Sequence, residues 1–202
     1  VYNRTTQPRQ QRHPKISTIA FISNNNDGSE RFIRNFVEQL KQIGSVHYIA
    51  SNHFFEGISQ EQTEAELIRN YSPLLANLES NNDYIVFDIS RHNYTTDSWC
   101  INQSGMLFIM VDARQDFNLE TIEEDLKDYT ALKNMYGLIM LHDRTQKKFQ
   151  SSTSWLNSDK ISNHFHIRLG ESNDVNRLIR FISGKSVGVV FGGGGARSLS
   201  QI

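Results

Sequence analysis

Short apolar runs alternate with longer amphipathic segments along most of the chain. Most of the runs are apolar at nearly every position rather than at every second position. This pattern is typical of strands that are covered on both faces of a parallel sheet. Seven runs are predicted to be strands: Ser17–Ile22, Ser45–Ala50, Asp83–Ile89, Met106–Ala113, Tyr136–His142, His164–Leu169 and Ser186–Phe191.

Four segments between these runs have apolar residues at helical spacing. Gly44 and Gly184 are predicted to end the first and the last of these helices, and Ser172 is a predicted cap for the last. The predicted apolar faces are, in chain order, Phe32, Ile33, Phe36, Val37, Leu40 and Ile43; Ala65, Ile68, Tyr71, Leu75 and Leu78; Leu119, Ile122, Leu126 and Tyr129; and Val175, Leu178, Ile179 and Ile182.

The second helix carries two further local signals. Ser59 and Gln62 have the spacing of a capping box, which predicts a start near Ser59. Pro73 is expected to kink or break the helix. The repetition of strand and helix predicts an α/β fold, with a doubly wound, mostly parallel sheet of the three-layer, Rossmann-like kind and right-handed crossovers.

The amino-acid composition divides the chain into three parts. Residues 1–15 are polar and basic and are predicted to be a linker, residues 16–184 form the α/β domain, and residues 185–202 open a new unit.

Basic and acidic residues number 21 and 22, a balance that argues against a nucleic-acid partner. The single cysteine, Cys100, fits a reducing compartment. No apolar run approaches the roughly 20 residues that span a bilayer. We therefore expect a cytoplasmic protein, with any membrane association peripheral. A start at Val1 rather than Met indicates a piece of a longer chain.

The most specific motif lies near the carboxyl end, where an apolar run leads directly into Gly192–Gly195, followed by Ala196 and Arg197. Glycine loses the most backbone freedom on ordering, so four in a row indicate a backbone that must turn sharply. Such a loop points several N–H groups into one concavity, which binds a phosphate or a developing oxyanion. A dinucleotide fingerprint would need a glycine where Ser198 stands, and a Walker loop would need a lysine. The oxyanion interpretation is therefore favoured.

Gly193, Gly194, Gly195, Ala196 and Arg197 match five places of the G-G-G-x-[RK]-G loop of patatin-like lipases, and Ser198 replaces the last glycine. The segments WLN and HFHIR precede this loop, and ISTIAFIS, DYIVFDIS and MLFIMVDA lie further upstream. With these segments, from about Ile16 to Ile202, the chain resembles the neuropathy target esterase subgroup of patatin-like phospholipases.

This resemblance implies an enzyme that hydrolyses acyl esters of phospholipids or lysophospholipids with a serine–aspartate dyad and no cofactor. Neither dyad residue is in this chain, so the chain alone is expected to be inactive. The backbone N–H groups of Gly193, Gly194 and Gly195 would stabilise the oxyanion, with Gly192 supporting the turn and the charge of Arg197 assisting. The resemblance also implies a cyclic-nucleotide-binding module upstream in the parent chain.

A rival hypothesis is a stand-alone, degenerate nucleotide-binding module. Asp88 and Asp112 end two apolar runs, as do the metal-binding acids of ATPases of the MinD and ParA type. However, the loop Ser23–Glu30 has one glycine and no lysine, which argues against nucleotide hydrolysis. His164 and His166 are predicted to share one face of a strand, but no third metal ligand is evident. We therefore expect no metal site.

Overall fold

The computed structural model describes residues 15–23, 28–55, 63–89, 91–113, 124, 126–131, 133–145 and 159–186. The strands are β1 (Thr18–Ser23), β2 (Val46–Ala50), β3 (Tyr84–Ile89), β4 (Met106–Asp112), β5 (Tyr136–His142) and β6 (Ile161–Arg168). The helices are α1 (Ser29–Leu40), α2 (Ser51–Phe54), α3 (Glu64–Asn81), α4 (Tyr94–Gln103), α5 (Lys127–Thr130) and α6 (Ser172–Ile182).

The six strands form one sheet in the order β2-β3-β1-β4-β5-β6, and every neighbouring pair is parallel. Helices α1 and α6 pack on one face, and residues of α3, α4 and the start of α5 pack on the other. The connection from β1, which steps towards β2, lies on the first face, whereas the described helices that follow β2, β3 and β4, which step towards β6, lie on the second. Because crossovers between parallel strands are right-handed, connections that run in opposite directions along the sheet must lie on opposite faces. The predicted doubly wound α/β fold is confirmed.

Each face of the sheet has its own core. On the α1 and α6 side, the rings of Phe21 and Phe108 stack with centroids 5.6 Å apart, and Phe165 meets Phe108 edge-on at 6.1 Å. Gly137 lies against the same ring, because a Cβ added there would be 2.4 Å from Phe108. On the other face, Trp99 is fully buried.

Six of the seven predicted strands are present, with shifts at their ends. The largest shift is in β6, which begins at Ile161, three residues before the predicted start at His164. The predicted seventh strand, Ser186–Phe191, lies outside the described residues from position 187 onward. The sequence pattern missed α2 and α4 altogether.

Helices α1 and α6 occupy the predicted segments, with corrections at their ends. Helix α1 ends at Leu40, so Ile43 lies beyond it and is 43% exposed rather than part of the buried face. In α6 the residue at the N-cap is Glu171, and Ser172 is already helical, so the predicted serine cap is wrong. Gly184 has φ of 68°, which explains why glycine follows this helix.

Helix α3 departs most from its prediction. The capping box is formed by Thr63 and Glu66, and Thr63 is extended, so a helix from Ser59 is wrong. Leu67 is fully buried while Ile68 is 47% exposed, so Leu67 takes the place predicted for Ile68; the predicted core contacts of Tyr71, Leu75 and Leu78 are confirmed. The helix also continues through Pro73. The residues around Pro73 face solvent, so water can bond to the carbonyl that loses its amide partner.

The third predicted helix is described only at its end. Helix α5 is a single turn, preceded by the buried Leu126, and Tyr129 packs partly buried against the core. Leu119 and Ile122 lie outside the described residues. The predicted contacts of Leu126 and Tyr129 with the core are therefore confirmed, whereas those of the other two residues stay predictions.

Candidate functional site

The carboxyl edge of the sheet at β1 is the place where this topology opens a crevice. Helix α1, which follows β1, lies on one face, and the helices that follow its neighbours β3 and β4 lie on the other. Open α/β sheets bind ligands at such switch points. Asp88 pairs in register with Phe21, and Asp112 ends β4 two residues beyond the partner of Ser23. The two predicted acids therefore flank the end of β1.

Asp88 is held by a neighbouring side chain. The Tyr48 hydroxyl donates a hydrogen bond of 2.6 Å to Asp88 Oδ2. Burial raises the pKa of the Asp88 carboxyl; the Tyr48 hydrogen bond opposes this shift, while the nearby charge of Glu30 adds to it. Burial and the contact with Asp88 also raise the pKa of Tyr48.

Helix α1 begins near Asp88, and its first turn carries a negative rather than a positive charge. Its N-cap is Gly28, without a side-chain cap, and Glu30 lies in its first turn. A Cβ at Gly28 would come within 3.2 Å of the Leu169 side chain, which precedes α6. This close approach favours glycine at the N-cap. A phosphate-binding loop would place a lysine at this point. The charge of Glu30 instead lies near enough to Asp88 to contribute to the raised pKa of that carboxyl.

A second buried carboxylate lies on the other face. The Ser51 hydroxyl donates to Asp97 Oδ1 at 2.6 Å, and both residues are almost completely buried. Burial raises the pKa of Asp97, while the bond from Ser51 lowers it. Burial and the Asp97 charge together raise the pKa of Tyr129 to about 12. Because Ser51 and Asp97 are closed to solvent, their hydrogen bond joins α2 to α4 inside the core, with Tyr129 of α5 beside it. Sequence reasoning missed it together with α4.

The predicted His164 and His166 do share one face of β6, and the structure adds a third imidazole. His142 ends β5, and its Nε2 lies 2.8 Å from Nδ1 of His166, with the two rings stacked. The pKa of His166 is lowered to about 4, first by burial and then by the like charges of His142, His164 and Arg177. Within the described ranges, no group of three or more acidic, histidine or cysteine side chains is arranged to hold a metal ion.

Side chains of α6 cover the carboxyl half of the outer edge of β6. The backbone N–H of Arg168 donates to Asp174 Oδ2 at 3.1 Å, and the same carboxylate pairs with the Arg168 guanidinium at 2.9 Å. Arg177 Nη2 donates to the carbonyl oxygen of His166 at 3.1 Å. These bonds satisfy backbone groups that a seventh strand would otherwise pair with, a common protection of sheet edges.

The family model for the Neuropathy Target Esterase family P-loop like domain matches residues 15–186. This chain belongs to the Neuropathy Target Esterase family. It is 24% identical to neuropathy target esterase sws of Drosophila willistoni over 93% of this chain, and equally identical to the Drosophila mojavensis protein. It spans 14% of the length of either relative. The resemblance stated from the sequence is confirmed.

A solved structure shows the same fold in a more distant protein. A plasmid partition protein from Borrelia burgdorferi, in an iodide-soaked crystal, superimposes with a TM-score of 0.55 at 13% identity. The match covers 85% of this chain and 100% of that one. At this identity the likeness concerns the fold alone, and it agrees with the P-loop like description of the matched family domain.

The glycine loop of this family member lies outside the described residues. This applies to Gly192, Gly193, Gly194, Gly195 and Arg197, so their predicted roles stay predictions. The predicted boundary near residue 184 comes just before the end of the family match at residue 186. Among the helices that the structure describes, none is long and apolar enough to cross a membrane.

Proposed function

We propose that this chain is part of a carboxylic ester hydrolase that cleaves acyl esters of phospholipids or lysophospholipids. The observation that carries the proposal is the order of two segments along one chain. The match to the family's P-loop like domain ends at residue 186, and the GGGGAR sequence of Gly192–Arg197 begins six residues later. The esterase names of the relatives support the same reaction class.

The proposed chemistry of the loop follows from the charge that an ester carbonyl develops. When a nucleophilic serine attacks, the carbonyl oxygen becomes an oxyanion, and fixed N–H donors stabilise it more strongly than the neutral ester. Gly193, Gly194 and Gly195 would supply these donors, with Gly192 completing the turn. Arg197 would add a positive charge close to the anion. The serine and its aspartate partner are proposed to lie beyond Ile202.

The α/β domain is proposed to serve this hydrolase by interaction or relay, without nucleotide chemistry of its own. Three features of the sequence and of the described residues near the end of β1 support this role. The loop Ser23–Glu30 contains no lysine. Asp88 is bonded to Tyr48, and Glu30 lies near it. Two carboxylates repel a nucleotide phosphate unless a cation lies between them. An upstream cyclic-nucleotide module is the proposed source of a signal for this domain to pass on.

The second candidate function is nucleotide binding at the same crevice. The P-loop like fold favours it, since the acids at the ends of β3 and β4 stand where such folds hold a magnesium ion. Magnesium-dependent binding of ATP separates this candidate from the first. Only the nucleotide-binding module requires it.

Fatty-acid release from lysophosphatidylcholine by the full-length protein tests the hydrolase proposal. Gly194→Pro removes one loop N–H and should lower kcat by about 100-fold or more, with KM little changed. Gly105→Ala is the matched control, because a Cβ there would meet its nearest neighbour at an ordinary 3.4 Å and the site is remote from the loop in sequence. An unsubstituted protein that releases no fatty acid, or a Gly194→Pro variant with full activity, would contradict the proposal.

A further inference from the structure

A groove of about 490 Å³ runs along the outer edge of β6, outside the crevice at β1. The groove is lined by β6, by helix α6 and by Ser186, which follows that helix. Among the described residues that line it there is no carboxylate. The polar lining comes from Ser162, Asn163, His164, His166, Arg177 and Ser186, and the apolar part from Phe165 and Phe181.

The backbone of β6 presents a donor to this groove. The N–H of Leu169 bonds to β5, whereas the N–H of Arg168 and the carbonyl of His166 bond to side chains of α6. Even-numbered residues near the end of the strand therefore direct their backbone groups outward. By the alternation of a strand, the N–H of His164 points the same way. The imidazole of His164 is exposed.

Arg177 supplies positive charge on the α6 side of the groove. One of its terminal nitrogens donates to the His166 carbonyl, which fixes the guanidinium at the strand edge. An arginine has five N–H donors, so most remain for a ligand. The nearest acid, Asp174, is already engaged by Arg168 at 2.9 Å and does not line the groove. The lowered pKa of His166, which arises from burial and then from its positive neighbours, agrees with a cationic environment.

We propose that this groove binds a phosphate group through the Arg177 guanidinium and the backbone N–H of His164. A planar guanidinium matches two phosphate oxygens, and a backbone N–H takes a third. The volume exceeds that of a bare phosphate, and Phe181 offers apolar surface to an attached organic group. A lipid headgroup and a free phosphate ester share this chemistry.

Calorimetric titration of the full chain with inorganic phosphate and with glycerophosphocholine tests the free ligands. Flotation with phosphatidylcholine vesicles, with and without phosphatidic acid, tests the headgroup. We expect Arg177→Gln to weaken the binding by about tenfold or more. Arg180→Gln is the matched control, since it removes the same charge from the last turn of α6 outside the groove and should leave the affinity unchanged.

Arg177→Lys keeps the charge but loses the planar fork, so an intermediate affinity would support the assigned geometry. Saturable binding of the soluble ligands alone would identify a free phosphate ester, and binding to the vesicles would identify a headgroup; either outcome supports the site. The proposal is overturned if neither kind of ligand binds, or if Arg177→Gln and Arg180→Gln weaken binding equally. Circular dichroism of each variant excludes loss of the fold.

Discussion

The His142–His166 pair predicts that the domain loses stability in mild acid. Folded His166 has a pKa of about 4, caused first by burial and then by the positive charges of His142, His164 and Arg177, with Asp174 opposing the shift. In the unfolded chain an imidazole titrates near 6.5. Between these two values the unfolded chain binds the proton and the folded domain does not. The free energy of unfolding therefore falls as the pH is lowered through this window.

The size of the effect follows from the two pKa values. At pH 5 their separation corresponds to at most about 2 kcal/mol of lost stability, relative to pH 7. His166 is partly exposed, and solvent screening reduces this figure, so we expect a loss of about 1–2 kcal/mol. His166→Gln removes the titrating ring but can still bond to His142, and it should reduce the loss by about 1 kcal/mol or more.

Urea denaturation at pH 7 and pH 5 measures this difference directly. His47→Gln is the matched control, because it removes an imidazole from β2 at the opposite edge of the sheet and should keep the pH dependence of the unsubstituted protein. The reasoning is refuted if the unsubstituted protein is equally stable at both pH values. It is also refuted if His166→Gln retains the whole loss.

Three further substitutions test the packing, a helix cap and the sheet edge. Gly137→Ala places a Cβ 2.4 Å from the buried Phe108 ring and should cost about 1–3 kcal/mol in urea denaturation, whereas Gly105→Ala should change little; equal stabilities would contradict the packing. Thr63→Ala removes the capping box of α3 and should lower the unfolding free energy by about 1 kcal/mol, and an unchanged midpoint would refute the cap. Asp174→Ala should speed hydrogen exchange of the β6 amide that it accepts from, and unaltered exchange would argue against edge protection.

The apolar runs predicted the strands well, because a strand buried on both faces must be apolar at almost every position. The runs also placed Asp88 and Asp112 at strand ends, and the structure confirms this. They contain no information about the order of strands in the sheet. That β1 lies between β3 and β4 depends on which crossovers pack on which face, so the crevice between the two acids emerged only from the topology.

Helix α4 was missed for a physical reason. All residues from Thr96 to Ile101 are buried, and three of them, Thr96, Asp97 and Ser98, are polar, so apolar residues do not recur at helical spacing. Its N-cap, Asn93, accepts hydrogen bonds from the amides of Thr95 and Thr96 and was the available signal. Missing the helix also meant missing Asp97 and its bond to Ser51.

The periodicity of the sequence predicted only part of the histidine cluster. Alternation along β6 was enough to predict that His164 and His166 share a face. His142 lies 24 residues before His166 in sequence, and only the register of β5 against β6 brings their rings together. The oxyanion roles of Gly193, Gly194 and Gly195 stay predictions, because they rest on the sequence motif and the family alone.

The central claim about this domain is that its P-loop like fold does not bind nucleotide phosphates at the end of β1. Calorimetric titration of the chain with ATP, in the presence and absence of magnesium, is the most direct test. We predict no magnesium-dependent binding, because the segment Ser23–Glu30 has no lysine and the charge of Glu30 lies near the Tyr48-bonded Asp88. Saturable, magnesium-dependent ATP binding that Asp88→Asn abolishes would contradict the claim.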